Sequence, residues 1–413
     1  MTRIDKIVTF LIFSTLFFSS YVLFKTPFEF YLSNVIVVLL LPLWLLKYKV
    51  PSIVVIIFPV LIITGIINVF AGNNESGLLL KITVNLLVFT LFYYYVFVKY
   101  EINIKKIFSF YCKGAYWVSI VGIVQVISYR VDFSFGYDYT FLFNKWALVF
   151  GGTGIRLNSI FSEPSYFGAS IAPAFFVSVY SLIFKSESFY NKNKAIIIVI
   201  AYFLTFSTVA YLGVFVTIIL FSLNFGLVRY FLIFFIVAFL GYTYLYNNVT
   251  EFKQRIDGVT ELYTGQATTI TDVHGSSFVL YNNAHVAIEN LKRNPVFGTG
   301  LGSHAIAYKK YSLASLFNDR DNFNNLDGNS MLVRLGSETG LFGVILIFIF
   351  LIKFFVKRDS SQKEIYWIIS NATLVMIILQ LMRQGNYTYN GFIFYMWLYY
   401  FVHKKYVEEK TIN

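Results

Sequence analysis

The chain has 413 residues, of which 57% are hydrophobic, 20% aromatic and only 13% charged. With a mean hydropathy of +0.66 it is too apolar for a soluble globular domain and reads as a polytopic membrane protein. The net charge of +12 would suggest nucleic acid in a soluble chain. Here it is read loop by loop, because Lys and Arg collect on cytoplasmic faces, and no nucleic-acid partner is expected. The single cysteine, Cys112, lies in an apolar run, which excludes an intramolecular disulfide and favours a buried packing role.

The N-terminus, MTRIDKIVTFLIFSTLFFSSYVLF, shows basic residues and then an apolar run without a small-residue cleavage site, so an uncleaved first helix is expected. Runs long enough to cross about 30 Å of hydrocarbon fall at 7–24, 30–46, 51–71, 78–98, 107–128, 166–184, 195–223, 228–246, 335–356, 365–382 and 390–402. The run 195–223 is either one long tilted helix or two short ones meeting at Phe206-Ser207-Thr208. Charge parity favours the hairpin. It gathers Arg3, Lys47, Lys99, Lys105, Lys185, Lys353 and Lys404 on one side, as the positive-inside tendency requires. The expected architecture is an all-α polytopic membrane protein of about twelve transmembrane helices with both termini cytoplasmic. A bundle over 1–246 carries an outer loop at 129–165, a large, partly helical extracytoplasmic loop occupies 247–330, and a second bundle with a cytoplasmic tail covers 331–413.

In the large loop, SSFVLYNNAHVAIENLKRNP places Leu280, Ala284, Ala287, Ile288 and Leu291 on one helical face and stops at Asn294-Pro295. The run Gly298-Thr299-Gly300-Leu301-Gly302 has no preceding strand of a βαβ unit, so it reads as a turn of close backbone packing and not as a phosphate loop. His274, His285 and His304 have no acidic partner at metal-ligand spacing. Neither a metal nor any other cofactor is expected, and no nucleophile elbow occurs.

Ionisable residues collect at the outer ends of the spans: Arg156, Glu163, Arg334, Glu338 and Arg383, joined by Arg255, Arg293 and Arg320 in the large loop. Charges at this depth are costly and are usually paired or functional. Guanidinium forks suit phosphate, and a nearby carboxylate can take a proton from a hydroxyl, so the set suits a phosphate-linked substrate as well as lipid headgroups. Glu163, just ahead of Pro164, fits both a helix start and a general base. Arg334 and Glu338 share a helix face at i,i+4 and can pair with each other or contact substrate.

Four stretches, RLNSIFSEPSYFG, LTFSTVAYLGV, NPVFGTGLGS and GNSMLVRLGSETGLFG, occur in an order that resembles the Wzy O-antigen polymerase family within the O-antigen ligase-like superfamily. The resemblance covers roughly residues 150 to 350. It implies a GT-C-like, metal-independent glycosyltransferase of the bacterial cytoplasmic membrane. Such an enzyme joins undecaprenyl-diphosphate-linked oligosaccharides on the outer face, surrounded by membrane lipids, with a chain-length regulator and a flippase as partners. Arg156 and Glu163 would then be catalytic, and Arg255, Arg293, Arg320, Arg334, Glu338 and Arg383 would bind substrate. Ligases of the superfamily typically carry His-Asn where this chain has Gly328-Asn329, and often Ser-Arg where it has Ser207-Thr208. The first departure favours a polymerase; a ligase and a lipid-linked oligosaccharide flippase are the alternatives.

Overall fold

The structure is a computed structural model that describes residues 2–412 apart from 26–28, 152–153, 228–230, 249, 265–274, 315–323 and 360. It is 72% helical. The helices are α1 (Arg3–Ser14), α2 (Leu32–Leu45), α3 (Ser52–Phe70), α4 (Ser76–Lys99), α5 (Ile104–Arg130), the short α6 (Ser134–Tyr137), α7 (Pro164–Phe184), α8 (Lys192–Phe203), α9 (Thr208–Asn224) and α10 (Phe231–Asn248). They continue with α11 (Thr250–Thr264), α12 (Gly275–Arg293), α13 (His304–Tyr311), α14 (Met331–Lys353), α15 (Glu364–Arg383) and α16 (Phe392–Ile412). Two small antiparallel pairs, β1 (Val22–Phe24) with β2 (Phe30–Tyr31) and β3 (Phe150–Gly151) with β4 (Gly154–Ile155), are the sheet among the described residues.

Six of the described helices, α3, α4, α5, α7, α14 and α15, are long and apolar enough to cross a membrane, and α2 and α9 are shorter apolar helices. Large apolar side chains such as Val55, Ile56 and Ile67 on α3, and Ile345, Ile349 and Ile352 on α14, are exposed, as a surface facing lipid requires. The run 195–223 is broken into α8 and α9, with Phe206 at φ 44° in the turn between them. The first span differs from expectation: only Arg3–Ser14 is helical, and after a turn at Thr15–Phe17 the chain leads into β1. Side chains and loop backbone take over the bonds that a longer helix would have made. Asn144 Oδ1 accepts the Val22 N–H at 2.9 Å while its Nδ2 donates to the Val22 carbonyl at 2.6 Å, and the Lys145 N–H donates to the Ser20 carbonyl at 3.0 Å.

α7 and α15 pack against each other and are mostly buried. Their neighbours close with aromatic stacks, Phe175 on Tyr202 at 4.2 Å and Phe176 on Phe221 at 4.7 Å between centroids, which gives the high aromatic content its place. Pro173 interrupts α7, and a neighbouring helix repairs the gap. The Tyr111 hydroxyl of α5 donates to the Ser170 carbonyl at 2.9 Å and accepts the Ala174 N–H at 3.2 Å, so it stands inside the helical bond those two groups would share.

The large polar segment is tied to α14 by a backbone exchange. α14 breaks at Gly340 (φ 62°, ψ −160°), which frees the N–H groups of Leu341 and Phe342 and the carbonyls of Ser337 and Glu338. Leu341 and Phe342 donate to Pro295 and Val296 at 2.9 and 3.0 Å, while Thr299 and Gly300 donate back to Ser337 and Glu338 at 3.3 and 2.7 Å. The approach is so close that a Cβ on Gly298 would sit 2.6 Å from the Glu338 backbone, and one on Gly340 2.6 Å from the Gly298 nitrogen. The glycine-rich run is thus a backbone clamp, also held by Asn74 Nδ2 donating to the Leu301 carbonyl at 3.0 Å. On α12 the buried stripe is rotated from the expected face. Ile288 is exposed, whereas Asn282, Asn283 and Asn290 are buried because each is hydrogen-bonded; Asn290 Nδ2, for one, reaches Thr299 Oγ1, the Ser337 carbonyl and Ser337 Oγ.

Two outcomes test this description. Gly298→Ala or Gly340→Ala, each adding backbone strain to overlap, should cost about 3 kcal/mol or more, read as a lowered melting temperature in detergent. Gly77→Ala, with open space around it, should leave melting unchanged. In a Cys112→Ala background, Lys309→Cys and Lys47→Cys sit at opposite ends of the bundle. With the lysine-rich end cytoplasmic, as the charge distribution leads one to expect, an impermeant maleimide applied to spheroplasts should label Lys309→Cys at once and Lys47→Cys only after lysis.

Candidate functional site

The bundle end that receives β1, β2 and the 131–163 segment holds most of the ionisable residues singled out in the sequence. The start of α7 meets the end of α15 there. Gln384 Nε2 donates to the Ser165 carbonyl at 3.5 Å, and the Tyr166 and Tyr389 rings lie 5.0 Å apart. Tyr389 also meets Tyr31 edge-on at 5.3 Å, and the Lys145 ammonium lies over both of those rings, at 5.1 Å from Tyr31 and 5.9 Å from Tyr389. Lys145 is paired with Glu29, which also accepts the Tyr31 hydroxyl.

Glu163 is the N-cap residue of α7, and its backbone carbonyl accepts the Tyr166 and Phe167 N–H groups, both at 3.2 Å. Its carboxylate makes no capping bond; it is exposed and accepts the Ser165 hydroxyl at 3.1 Å. The segment ahead of it is rigidly held. Gln125 Oε1 accepts the Asn158 and Ser159 N–H groups at 3.2 and 2.9 Å, Ser159 Oγ donates to the Val118 carbonyl at 2.7 Å, and Ser20 Oγ donates to the Ile160 carbonyl. Arg156 is anchored on the α8–α9 turn, with its Nε donating to the Thr205 carbonyl at 3.2 Å.

Arg334 and Glu338 face each other inside the protein. Nε donates to Glu338 Oε1 at 2.8 Å, a terminal nitrogen donates to the Gly385 carbonyl at 3.0 Å, the guanidinium lies 4.4 Å from the Tyr387 ring, and the Tyr387 hydroxyl donates to Glu338 Oε2 at 2.9 Å. Glu338 is 0% exposed and Arg334 2%, so the pair offers almost no surface to a ligand and instead joins α14 to the end of α15. Arg383 is different. Its Nε is buried without an acceptor among the described residues, and none of their ion pairs includes it. Arg293 stands apart, exposed, with its guanidinium 5.1 Å from the Tyr311 ring. Arg255 lies on α11 but its side chain is outside the described set, and Arg320 lies outside the described residues.

Asp327 joins this site without having been singled out in the sequence. Its Oδ1 accepts the Asn329 N–H at 3.0 Å, and its backbone packs so tightly on Gly385 that a Cβ there would overlap the Asp327 carbonyl. Burial pushes its carboxyl up from the ordinary value, against the Asn329 N–H and the charges of Arg334 and Lys145. The Tyr166 hydroxyl lies within electrostatic reach of Tyr389, Asp327, Glu163 and Glu29. Next to Gly328, His304 is buried, with Nε2 3.0 Å from Asn283 Oδ1; burial, then the charge of Arg334, lowers its pKa to about 3, so it is a neutral ring. Tyr139 and Trp146 are buried, and Trp146 Nε1 donates to the Ser159 carbonyl at 2.9 Å.

Removing one member of the buried pair strands the other. Arg334→Ala should cost about 3–5 kcal/mol, whereas Arg334→Met combined with Glu338→Met should recover most of that loss. Thermal unfolding in detergent checks both.

No protein-family model matches the chain, and no curated protein matches it.

Proposed function

We propose that the protein is a polysaccharide repeat-unit polymerase, a GT-C-like glycosyltransferase of the bacterial cytoplasmic membrane. It would transfer a glycan from undecaprenyl diphosphate to the terminal sugar of another lipid-linked repeat. In this reading α1–α5, α7–α10 and α14–α16 make about twelve crossings, and the lysine-rich end with both termini is cytoplasmic. The observation that carries the reading is Arg383, a guanidinium without a carboxylate partner among the described residues, set at the same end of the bundle as two carboxylates, Glu163 and Asp327. Desolvating an arginine costs several kcal/mol unless an anion meets it. Arg383 ends α15, an apolar helix long enough to cross a membrane, and the diphosphate of a lipid carrier would arrive at the level of such an end.

The chemistry asks for little more. Negative charge grows on the departing diphosphate, and preorganised guanidinium forks stabilise it without a nucleotide or a metal. Arg156, on the α8–α9 side, is the second guanidinium proposed to meet it. The acceptor sugar must be held with a hydroxyl turned toward the anomeric carbon, and Glu163 is exposed at the start of α7 to bond to it.

Deletion of the gene and complementation with variants tests the reading. Loss of the protein should leave surface glycan of single repeats; full-length unattached polymer would identify a ligase, and absence of exported glycan a flippase. Arg383→Ala should abolish polymer at matched protein levels, while Arg383→Lys, which keeps charge but not the fork, should retain a minor part. In proteoliposomes supplied with lipid-linked repeats, polymer formation should persist in excess EDTA, and restoration by Mg²⁺ of an EDTA-blocked reaction would refute the metal-free scheme.

A further inference from the structure

Two carboxylates stand at the proposed site, and their surroundings differ. Glu163 is exposed and bonded to the Ser165 hydroxyl. Asp327 is partly buried and fixed on both sides. The Asn329 N–H holds Oδ1 at 3.0 Å, and the Gly385 backbone lies directly against the Asp327 main chain and Cβ. The groups that face it are Arg334 of α14, Lys145 of the 131–163 segment and Tyr166 of α7, with Glu163, Glu29 and Tyr389 beyond the Tyr166 hydroxyl.

We propose that Asp327 is the base that deprotonates the acceptor sugar, an inference that rests on the glycosyl-transfer reading above. Its carboxylate takes the proton of the attacking hydroxyl as that oxygen bonds to the anomeric carbon. The bond between the anomeric carbon and the phosphate oxygen breaks, and its electron pair leaves with undecaprenyl diphosphate. Asp327 then releases the proton to water. Oδ1 is occupied by the Asn329 N–H, so the other oxygen, Oδ2, which has no hydrogen-bond donor among the described residues, receives the proton. Glu163, across the Tyr166 hydroxyl, orients the acceptor.

The raised carboxyl agrees with this role. Burial raises the proton affinity of the Asp327 carboxylate above that of one in water, which makes it a stronger base. The base must be ionised to act, so the rate rises with pH through the ionisation of Asp327, and this acid limb lies above that of an ordinary aspartate.

The test uses the full-length protein in proteoliposomes with lipid-linked single repeats, measuring the rate of chain formation against pH. Asp327→Asn keeps the oxygen that accepts the Asn329 N–H, so it should fold like the parent. Its rate should fall about 10² to 10⁴-fold, and the acid limb should vanish from the residual rate. Sodium formate should restore part of the rate to Asp327→Ala, because a small carboxylate can enter the space that substitution opens. A purely structural aspartate gains nothing from formate. If the parent makes no polymer, the polymerase reading fails. If the parent polymerises and Asp327→Asn does so at the parental rate, or Asp327→Ala is unmoved by formate, the base assignment fails while the polymerase reading stands.

Discussion

The backbone exchange at Gly340 is the constraint on which the rest of the molecule depends. Interrupting a helix in an apolar medium strands donors and acceptors that cost several kcal/mol each when left unpaired. Here the segment from Pro295 to Gly300 meets each of the four freed groups, so two helical bonds become four bonds between segments. Helix and segment need each other. Without the clamp α14 could not break at this level, and without the break the 295–300 backbone would lose its partners on α14. The break also leaves the first turns of α14 as a separate rod whose direction the clamp sets. Arg334 and Glu338 ride on that rod and carry its orientation to Gly385 and Tyr387 at the end of α15.

The buried pair follows from that arrangement. Two opposite charges removed from water are only weakly stabilising in themselves, but they demand a particular geometry. Arg334 spends one nitrogen on Glu338, another on a backbone carbonyl and its face on Tyr387. The α14–α15 junction is therefore specified to within a hydrogen-bond length. Asp327 lies on the same Gly385 backbone, so its position is inherited from this junction and not from its own loop.

Much of the fold was legible in the sequence, because long apolar runs and turn residues act locally. The break at Phe206-Ser207-Thr208 is one case, and the glycine-rich run as a site of close backbone packing is another. The misreadings arose where tertiary bonds replaced local ones. Asparagines filled the buried stripe of α12 because their amides find partners on other segments, which no periodicity of apolar residues can reveal. The first helix stopped early because Asn144 and Lys145, far along the chain, pair with Val22 and Ser20 in the segment that follows it. For the candidate site, the arginines and Glu163 stood out by being charged beside apolar runs. Asp327 sat in a polar stretch among other polar residues, and only the packing on Gly385 separates it from them. A weak sign was present in Asp327-Gly328-Asn329 immediately ahead of a helix start, a turn signature that says nothing of what lies opposite.

The hydroxyl of Tyr111, standing in the gap that Pro173 opens, has a consequence for how the protein can vary. A slide of α5 along α7 by a single residue, about 1.5 Å, would break both of its bonds at once. The two helices are thereby pinned in register at a point well inside the bundle. The chain between them leaves α5 and enters α7 from two stations that do not move. A connecting segment with immovable ends can change in length and composition without disturbing its anchorage. Diversity in whatever that segment touches can accumulate on a frame that stays the same.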